Sequence, residues 1–190
     1  MKKLLPLLIL AISVNGLHAQ KLSGGLKAGV NITNFTGPGL NNIDKKALVG
    51  FNAGGFLNLR FGAISLQPEV LVSTAGAKYK NADSSFKLTY LSVPVMLKYR
   101  ADGGFYVEIG PQVGFKLGED ISNKTIGDFA KDLDLSAAGG LGFQTKRGLG
   151  IGARYLLGLS KVGNFQPSAG LNPDFKNSVI QVGISFPLGK

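Results

Sequence analysis

The chain has 190 residues, no cysteine and one histidine, and it carries 28 glycines and a formal net charge of +10. The lack of cysteine excludes a disulfide framework, and the one histidine, His18, lies close to the N-terminus. The chain beyond position 20 therefore offers no histidine for a general base, a Ser-His or Cys-His nucleophile, or a zinc site of His and Cys.

The first nineteen residues have the layout of a secretory signal peptide. A short basic start precedes the apolar run Leu4–Val14, and the segment closes on the small residue Ala19. The run is shorter than the about 20 apolar residues of a spanning helix, and Pro6 interrupts it. We therefore predict a cleaved signal peptide at 1–19 and one domain at 20–190. Export argues against a nucleic acid partner, so the basic charge is assigned to Lys-rich loops that touch anionic lipid.

Beyond Gln20 the sequence is organised into eight segments in which every second residue is apolar. Successive side chains of a β-strand point to opposite faces, so each segment has one apolar face and one face of small, polar or charged groups. In chain order the predicted strands are about Leu22–Thr33, Leu48–Arg60, Ala63–Thr74, Lys87–Arg100, Phe105–Leu117, Asp132–Thr145, Leu149–Leu159 and Asn177–Leu188. No Asp, Glu, Lys or Arg lies on any of the eight apolar faces.

The fifth segment, Phe105–Leu117, shows the pattern most clearly. Its thirteen residues exceed the usual length of a soluble strand, about 5 to 6 residues. A tilted strand that crosses a bilayer needs about 9 to 11 residues. The length therefore favours a membrane-spanning strand.

The connections between the predicted strands alternate between long and short. Tight links such as Phe61–Gly62 and Lys146–Gly148 follow even-numbered strands, and long links follow odd-numbered ones. Outer-membrane barrels have short periplasmic turns and longer external loops. The sequence thus predicts an all-β fold: an eight-stranded antiparallel up-and-down transmembrane β-barrel, preceded by a cleaved signal peptide.

The direction of the apolar face separates two classes of barrel. A soluble lipocalin-like barrel turns it inward around a small apolar ligand, whereas a membrane barrel turns it to lipid. Strand length, a glycine-rich second face and aromatic residues at strand ends favour lipid. The aromatic residues expected at the periplasmic rim are Phe61, Tyr99, Phe105, Phe143 and Phe186, and those at the outer rim are Phe35, Phe115 and Phe165.

Several strands resemble those of the PorT-like outer-membrane β-barrel family of Bacteroidetes-type bacteria. The similar segments are Tyr90–Tyr99, Arg154–Leu159, the Gly-Leu-Lys-Ala-Gly-Val-Asn stretch ending at Asn31, and Gln67–Glu69. The resemblance implies an outer-membrane barrel with an association with protein secretion or the envelope. The chain departs from the family pattern at its end, since Phe186 is followed by Pro-Leu-Gly-Lys instead of closing the chain.

Few clusters suggest catalysis or metal binding. Glu119 and Asp120 are adjacent and are interpreted as a solvated pair in a loop. Gly139–Gly142 lacks the Lys-Ser/Thr pair and the helix of a phosphate loop. Asp132 and Asp134, with Asp128 nearby, are candidate calcium ligands. Their spacing lacks the loop glycine and the terminal glutamate of a calcium-binding loop. We expect no catalytic residue, no metal site and no cofactor.

The inward face is expected to carry a charge network. If the N-terminus is periplasmic, the third, fifth and seventh strands run outward, which places Glu69, Glu108 and Arg154 near mid-depth. The third and seventh strands lie on opposite walls. We predict that Arg154 reaches across to Glu69, with Glu108 as its second partner and Lys98 near the periplasmic end, because a guanidinium forms a rigid fork of donors.

These features predict a non-enzymatic outer-membrane protein with a structural or interaction role. An eight-stranded barrel is just wide enough to be filled by its own side chains, so it should not act as a porin. The expected partners are outer-membrane lipid and an envelope protein bound through the long loops, with the chain itself a monomer. The alternatives are a soluble lipocalin-like barrel and an outer-membrane enzyme that relies on carboxylates such as Glu69 or Glu108.

Overall fold

The computed structural model of the chain describes residues 20–36, 45–79, 85–121, 131–162 and 176–188, so the predicted signal peptide lies outside the described residues. Eight β-strands follow one another: β1 Gln20–Thr36, β2 Lys45–Phe61, β3 Ile64–Tyr79, β4 Ser85–Arg100, β5 Phe105–Ile121, β6 Leu133–Gln144, β7 Gly150–Gly158 and β8 Lys176–Leu188. Each strand pairs antiparallel with the next, and β1 pairs with β8 to close the barrel. The predicted fold class is confirmed. Within these ranges no helix is long and apolar enough to cross a membrane.

The predicted strand bounds are close at the short-turn end and, for β1 to β5, too short at the long-loop end, whereas those of β6 to β8 agree to within one residue at each end. β4 ends at Arg100 and β5 starts at Phe105, as expected. β3 continues to Tyr79 and β5 to Ile121, several residues beyond the prediction. Above the apolar band a strand no longer needs an alternating pattern, because ladder hydrogen bonds to its neighbour are enough to hold it. The sequence pattern therefore fades before the strands end.

The burial pattern shows which face is outside. Outward residues of the apolar set, such as Leu22 and Ile109, are 67% and 66% exposed. Inward polar residues such as Asn31 and Glu69 are 0% and 1% exposed. This distribution is the reverse of a soluble protein, whose apolar side chains are the most often buried. The apolar face is therefore the lipid face of a membrane barrel.

Aromatic side chains surround the short-turn end of the outer surface. Those predicted for the periplasmic rim all lie outward and exposed there: Phe61, Tyr99, Phe105, Phe143 and Phe186. Phe115 is likewise exposed towards the other end of β5. Phe165 and the side chain of Phe35 lie outside the described residues. Such residues sit at the membrane interface because a ring is apolar while its edge tolerates polar head groups.

Two inward glycines allow neighbouring strands to approach closely. A Cβ atom on Gly54 would lie 2.0 Å from the carbonyl oxygen of Val70, and one on Gly110 would lie 2.0 Å from that of Val95. No side chain fits such a space without moving backbone. Closing eight strands into a narrow barrel requires sharp local curvature, and glycine is the residue that permits it.

Candidate functional site: an ion-pair cluster in the lumen

Arg154 of β7 lies at the centre of the lumen and reaches the opposite wall. Its Nη1 donates to Glu69 Oε2 at 3.1 Å, and its Nη2 donates to Glu69 Oε1 at 2.8 Å. β3 and β7 are four strands apart in the closed order, so this fork spans the barrel. Two parallel N–H···O bonds between a guanidinium and a carboxylate fix the orientation of both groups.

A second carboxylate approaches the same guanidinium from β5. Arg154 Nε donates to Glu108 Oε1 at 2.9 Å. Lys98 lies directly across the ladder from Glu108, and its Nζ is 3.5 Å from Glu108 Oε2. Lys98 Nζ also donates to Gln67 at 3.1 Å and lies 4.1 Å from the centre of the Tyr106 ring. The structure thus brings the four residues of the sequence prediction into one cluster.

Sequence reasoning missed Lys27 of β1 as a member of this cluster. Its Nζ is 3.3 Å from both carboxylate oxygens of Glu69, although β2 lies between the two strands. Lys27 pairs in register with Gly54, which places no side chain between the lysine and Glu69. The sequence signal was its position on the polar face of the first strand. The prediction counted depth only along the third, fifth and seventh strands and so omits it.

The lumen cluster is defined as Lys27, Glu69, Lys98, Glu108 and Arg154, of which Lys27 is the most exposed, with 15% of its side chain accessible. Glu69, Arg154, Lys98 and Glu108 are 1%, 3%, 5% and 7% exposed. Burying a charge costs several kcal/mol per ion unless partners and hydrogen bonds replace the water. Here every charged group has an opposite charge within 3.5 Å. A cavity of about 20 Å³ remains beside the cluster, which is room for about one water molecule.

Polar side chains also fill the lumen towards the long loops. Asn31 donates to Ser73 Oγ at 2.9 Å and to the Thr74 carbonyl at 2.8 Å, and it accepts from Asn52 at 2.5 Å. A further cavity on this side has a volume of about 20 Å³. The described part of the lumen is therefore packed with side chains at several depths, as expected for eight strands.

The other acidic residues singled out in the sequence are placed elsewhere. Interpreting Glu119 and Asp120 as a loop pair was wrong, because both belong to β5, where the strand continues beyond the apolar band. Glu119 forms an ion pair with Lys116, with 3.5 Å between Glu119 Oε2 and Lys116 Nζ. Asp134 is buried and accepts from Ser136 and Ser160, whereas Asp128 lies outside the described residues. Within the described ranges, no three His, Cys, Asp or Glu side chains converge as a metal site would require.

Comparison with solved structures identifies other small barrels of similar fold. Neisserial surface protein A superposes with a TM-score of 0.56 at 12% identity, covering 87% of this chain and 97% of that one. The attachment invasion locus protein Ail of Yersinia pestis, in complex with the heparin analogue sucrose octasulfate, gives 0.50 at 16% identity, covering 88% and 99%. Ail in a phospholipid bilayer nanodisc gives 0.50 at 15% identity, covering 88% and 100%. At these identities the likeness concerns the fold.

Comparison with curated protein sequences gives no match. The outer membrane protein beta-barrel domain family, in contrast, matches residues 18–164, which is most of the chain. The closed eight-stranded barrel and its lipid-facing apolar surface agree with that match. The chain therefore belongs to the outer membrane protein beta-barrel domain family and is an eight-stranded barrel of the Gram-negative outer membrane.

Proposed function

We propose that the protein is a non-enzymatic outer-membrane barrel with a structural or interaction role, and that its lumen does not conduct solutes. The lumen cluster carries this proposal, since Arg154 spans the barrel between Glu69 and Glu108 and leaves a cavity of only about 20 Å³ beside it. A solute path would need these ion pairs to separate inside a space that water barely enters, which costs several kcal/mol for each charge left buried without a partner.

The same contacts argue against a carboxylate-dependent enzyme. A glycosidase needs one carboxylic acid and one carboxylate with room for sugar and water between them. Glu69 and Glu108 instead bind one guanidinium, at 2.8 Å and 2.9 Å. Both carboxylates are thereby held as acceptors and turned away from solvent, so their role is to support the barrel.

Conductance across a planar bilayer tests the closed lumen. The mature protein should insert without producing discrete current steps, at either polarity of the applied voltage. A variant with Arg154→Ala and Glu108→Ala together is the comparison, since it removes the side chains that cross the lumen while leaving Glu69 paired with Lys27. Stable current steps from the wild-type protein would contradict a closed barrel.

The interaction surface we assign is the end that carries the long connections, between β1 and β2, β3 and β4, β5 and β6, and β7 and β8. External loops are where outer-membrane barrels vary and bind. The resemblance to the PorT-like family supports an envelope partner in secretion or assembly. The outward apolar face binds lipid. We assign the protein as a monomer, because β1 pairs with β8 and no strand edge is left for a second chain to pair with.

A pull-down from mildly solubilised outer membranes tests the partner. Wild type is compared with variants whose long connections are shortened one at a time. A matched control changes the tight β4–β5 turn at Asp102 and Gly103, which lies at the opposite end. Loss of a co-purifying protein from one loop variant alone supports the assignment. An unchanged set of co-purifying proteins from every loop variant contradicts it.

Export by a cleaved signal peptide is part of the same proposal. Residues 1–19 combine a basic start, an apolar run and a small residue at the expected cleavage position. Mass spectrometry of the protein isolated from outer membranes should therefore find a chain that starts at Gln20. A mature chain that retains Met1 would contradict it.

A further inference from the structure

The short-turn end of the barrel contains a cavity of about 540 Å³ whose wall is strongly basic. Small-molecule sites typically have volumes of about 300 to 1,000 Å³. Among the described residues that line it there is no Asp or Glu, and the basic ones are Lys21, Arg60, Lys98, Arg100, Lys146 and Arg147. We term this cavity the basic cup. It differs from the lumen cluster, in which carboxylates balance most of the positive charge.

Four of these cations lie on the inward face of their strands, namely Lys21, Arg60, Lys98 and Arg100. Lys21 and Arg60 are directly opposite one another across the β1–β2 ladder, and Arg100 follows Lys98 by two residues on β4. Like charges directly opposite on one face of a sheet repel each other and destabilise the pair. An anion between them would reverse that cost. Their inward position also directs them to the mouth of the barrel, away from the lipid around it.

The cations of the rim have no carboxylate partner in the part of the chain that the structure describes. None of Lys21, Arg60, Arg100, Lys146 and Arg147 takes part in an ion pair there. Two of them are instead oriented by neutral acceptors. Arg60 Nε donates to the Gly62 carbonyl at 2.7 Å, and Arg100 Nη1 donates to Gln144 at 2.9 Å. A guanidinium has five N–H donors, so each keeps several for a ligand.

The floor of the basic cup is closed. Lys98 lies there, but Glu108 already neutralises its ammonium group, and Gln67 accepts a hydrogen bond from it. Beneath it the lumen cluster fills the barrel, with about 20 Å³ left open beside it. A ligand that enters from the short-turn end therefore stops in the cup. Short turns lie on the periplasmic side of outer-membrane barrels, so the cup faces the periplasm.

We propose that the basic cup binds a small oxyanion ligand from the periplasm that carries at least two negative charges, as phosphate or carboxylate groups. Arg60 and Arg100 supply fork-shaped donors that match either group. Lys21, Lys146 and Arg147 supply additional charge at the rim. The inference goes beyond the proposed function, because it concerns the end of the barrel opposite the long connections.

Calorimetric titration of the refolded protein with pyrophosphate, in a sugar-headgroup detergent, tests the site. Wild type should bind one equivalent. The variant Arg60→Gln with Arg100→Gln should bind about 10-fold or more weakly, because hydrogen bonds to charged groups are lost. The variant Arg60→Lys with Arg100→Lys keeps the charge without the forks and should fall between the two.

A matched control removes two positive charges from the other end of the barrel, as Lys87→Gln with Lys131→Gln. Its affinity for pyrophosphate should equal that of wild type. If this control loses as much affinity for pyrophosphate as Arg60→Gln with Arg100→Gln does, the anion is attracted only by the net charge of the protein, and the proposed site is overturned. Folding of each variant is checked by its fast-migrating band on an unheated gel, and a wild-type protein that folds without binding pyrophosphate also overturns the proposal.

The source of the oxyanion is separated by repeating the titration in nanodiscs. Discs of phosphatidylcholine alone should give the same pyrophosphate affinity as discs that also contain phosphatidylglycerol, since the cup opens along the barrel axis. Loss of pyrophosphate binding only in the phosphatidylglycerol discs would identify lipid head groups as the occupant and refute a soluble ligand.

Discussion

Replacing Arg154 tests the lumen cluster, because the structure predicts an unequal effect of removing the cation and of removing its partner. The cluster contains three cations, Lys27, Lys98 and Arg154, and two carboxylates. Arg154→Ala leaves two of each sign, with Lys27 3.3 Å from Glu69 and Lys98 3.5 Å from Glu108. Glu69→Ala leaves three cations around one carboxylate. Glu69→Ala should therefore destabilise the barrel more than Arg154→Ala.

The magnitudes follow from the cost of breaking a buried ion pair, about 3 to 5 kcal/mol. We expect about 3 kcal/mol for Arg154→Ala, because each carboxylate retains a lysine, and about 5 kcal/mol for Glu69→Ala. The double variant should cost about as much as the worse single one, a coupling of about 3 kcal/mol. Arg147→Ala on the exposed β6–β7 turn is the control and should change stability by less than about 0.5 kcal/mol.

Unfolding by urea in phospholipid vesicles measures these differences. The chain has no tryptophan, so circular dichroism and the shift between the fast-migrating folded band and the unfolded band report the transition. Simple addition of the two single losses would show that Arg154 and Glu69 do not interact. A smaller loss for Glu69→Ala than for Arg154→Ala would refute the charge balance described above.

Three further predictions concern other parts of the barrel. Gly54→Ala should lower stability by several kcal/mol because its Cβ would lie 2.0 Å from a backbone oxygen, whereas Gly139→Ala, which meets nothing within 4 Å, should be nearly neutral in the same urea assay. Ile109→Arg, on the lipid face, should cost about 2 to 4 kcal/mol in vesicles, and an equal loss in detergent would argue against lipid contact. Lys27→Met should cost about 1 kcal/mol or less, since the side chain is partly exposed, Glu69 keeps both bonds to Arg154, and two cations then face two carboxylates, and a loss as large as that of Glu69→Ala would show that Lys27 is essential.

Sequence reasoning recovers the barrel because its main determinant is local. Whether a residue faces lipid or lumen depends only on its position along its own strand, as for Ile109 and Glu108. The short connections predict that β2–β3, β4–β5 and β6–β7 are adjacent antiparallel pairs. The alternation of short and long connections favours the same order for the remaining strands. The long-loop end of β5 escapes prediction, because Glu119 and Asp120 pair in the ladder without an apolar pattern to mark them.

The clusters are harder to predict because they depend on depth and on the closure of the sheet. Glu69 and Arg154 could be matched by counting along strands that run in one direction. Lys27 lies on β1, which runs in the same direction, but its contact with Glu69 also depends on Gly54 of the strand between them. The basic cup joins Lys21 and Arg60, which face each other across the β1–β2 ladder, with Arg100 at the end of β4, and these residues share one mouth because the sheet closes into a barrel. No spacing in the sequence marks the contact of Lys27 with Glu69 or the basic cup.

The lumen cluster also favours the observed register of the strands over a shifted one. A slip of one residue in a strand would exchange its two faces. For β7 it would turn Arg154 to the lipid, and a basic residue on the lipid face at mid-membrane costs about 2 to 4 kcal/mol. The same slip would leave Glu69 without its fork of two bonds at 2.8 Å and 3.1 Å. A lumen filled with apolar side chains would carry neither penalty, since both faces of each strand would then tolerate contact with lipid. The buried charges therefore favour the native register over its neighbours, even where an apolar lumen of equal volume would be as stable.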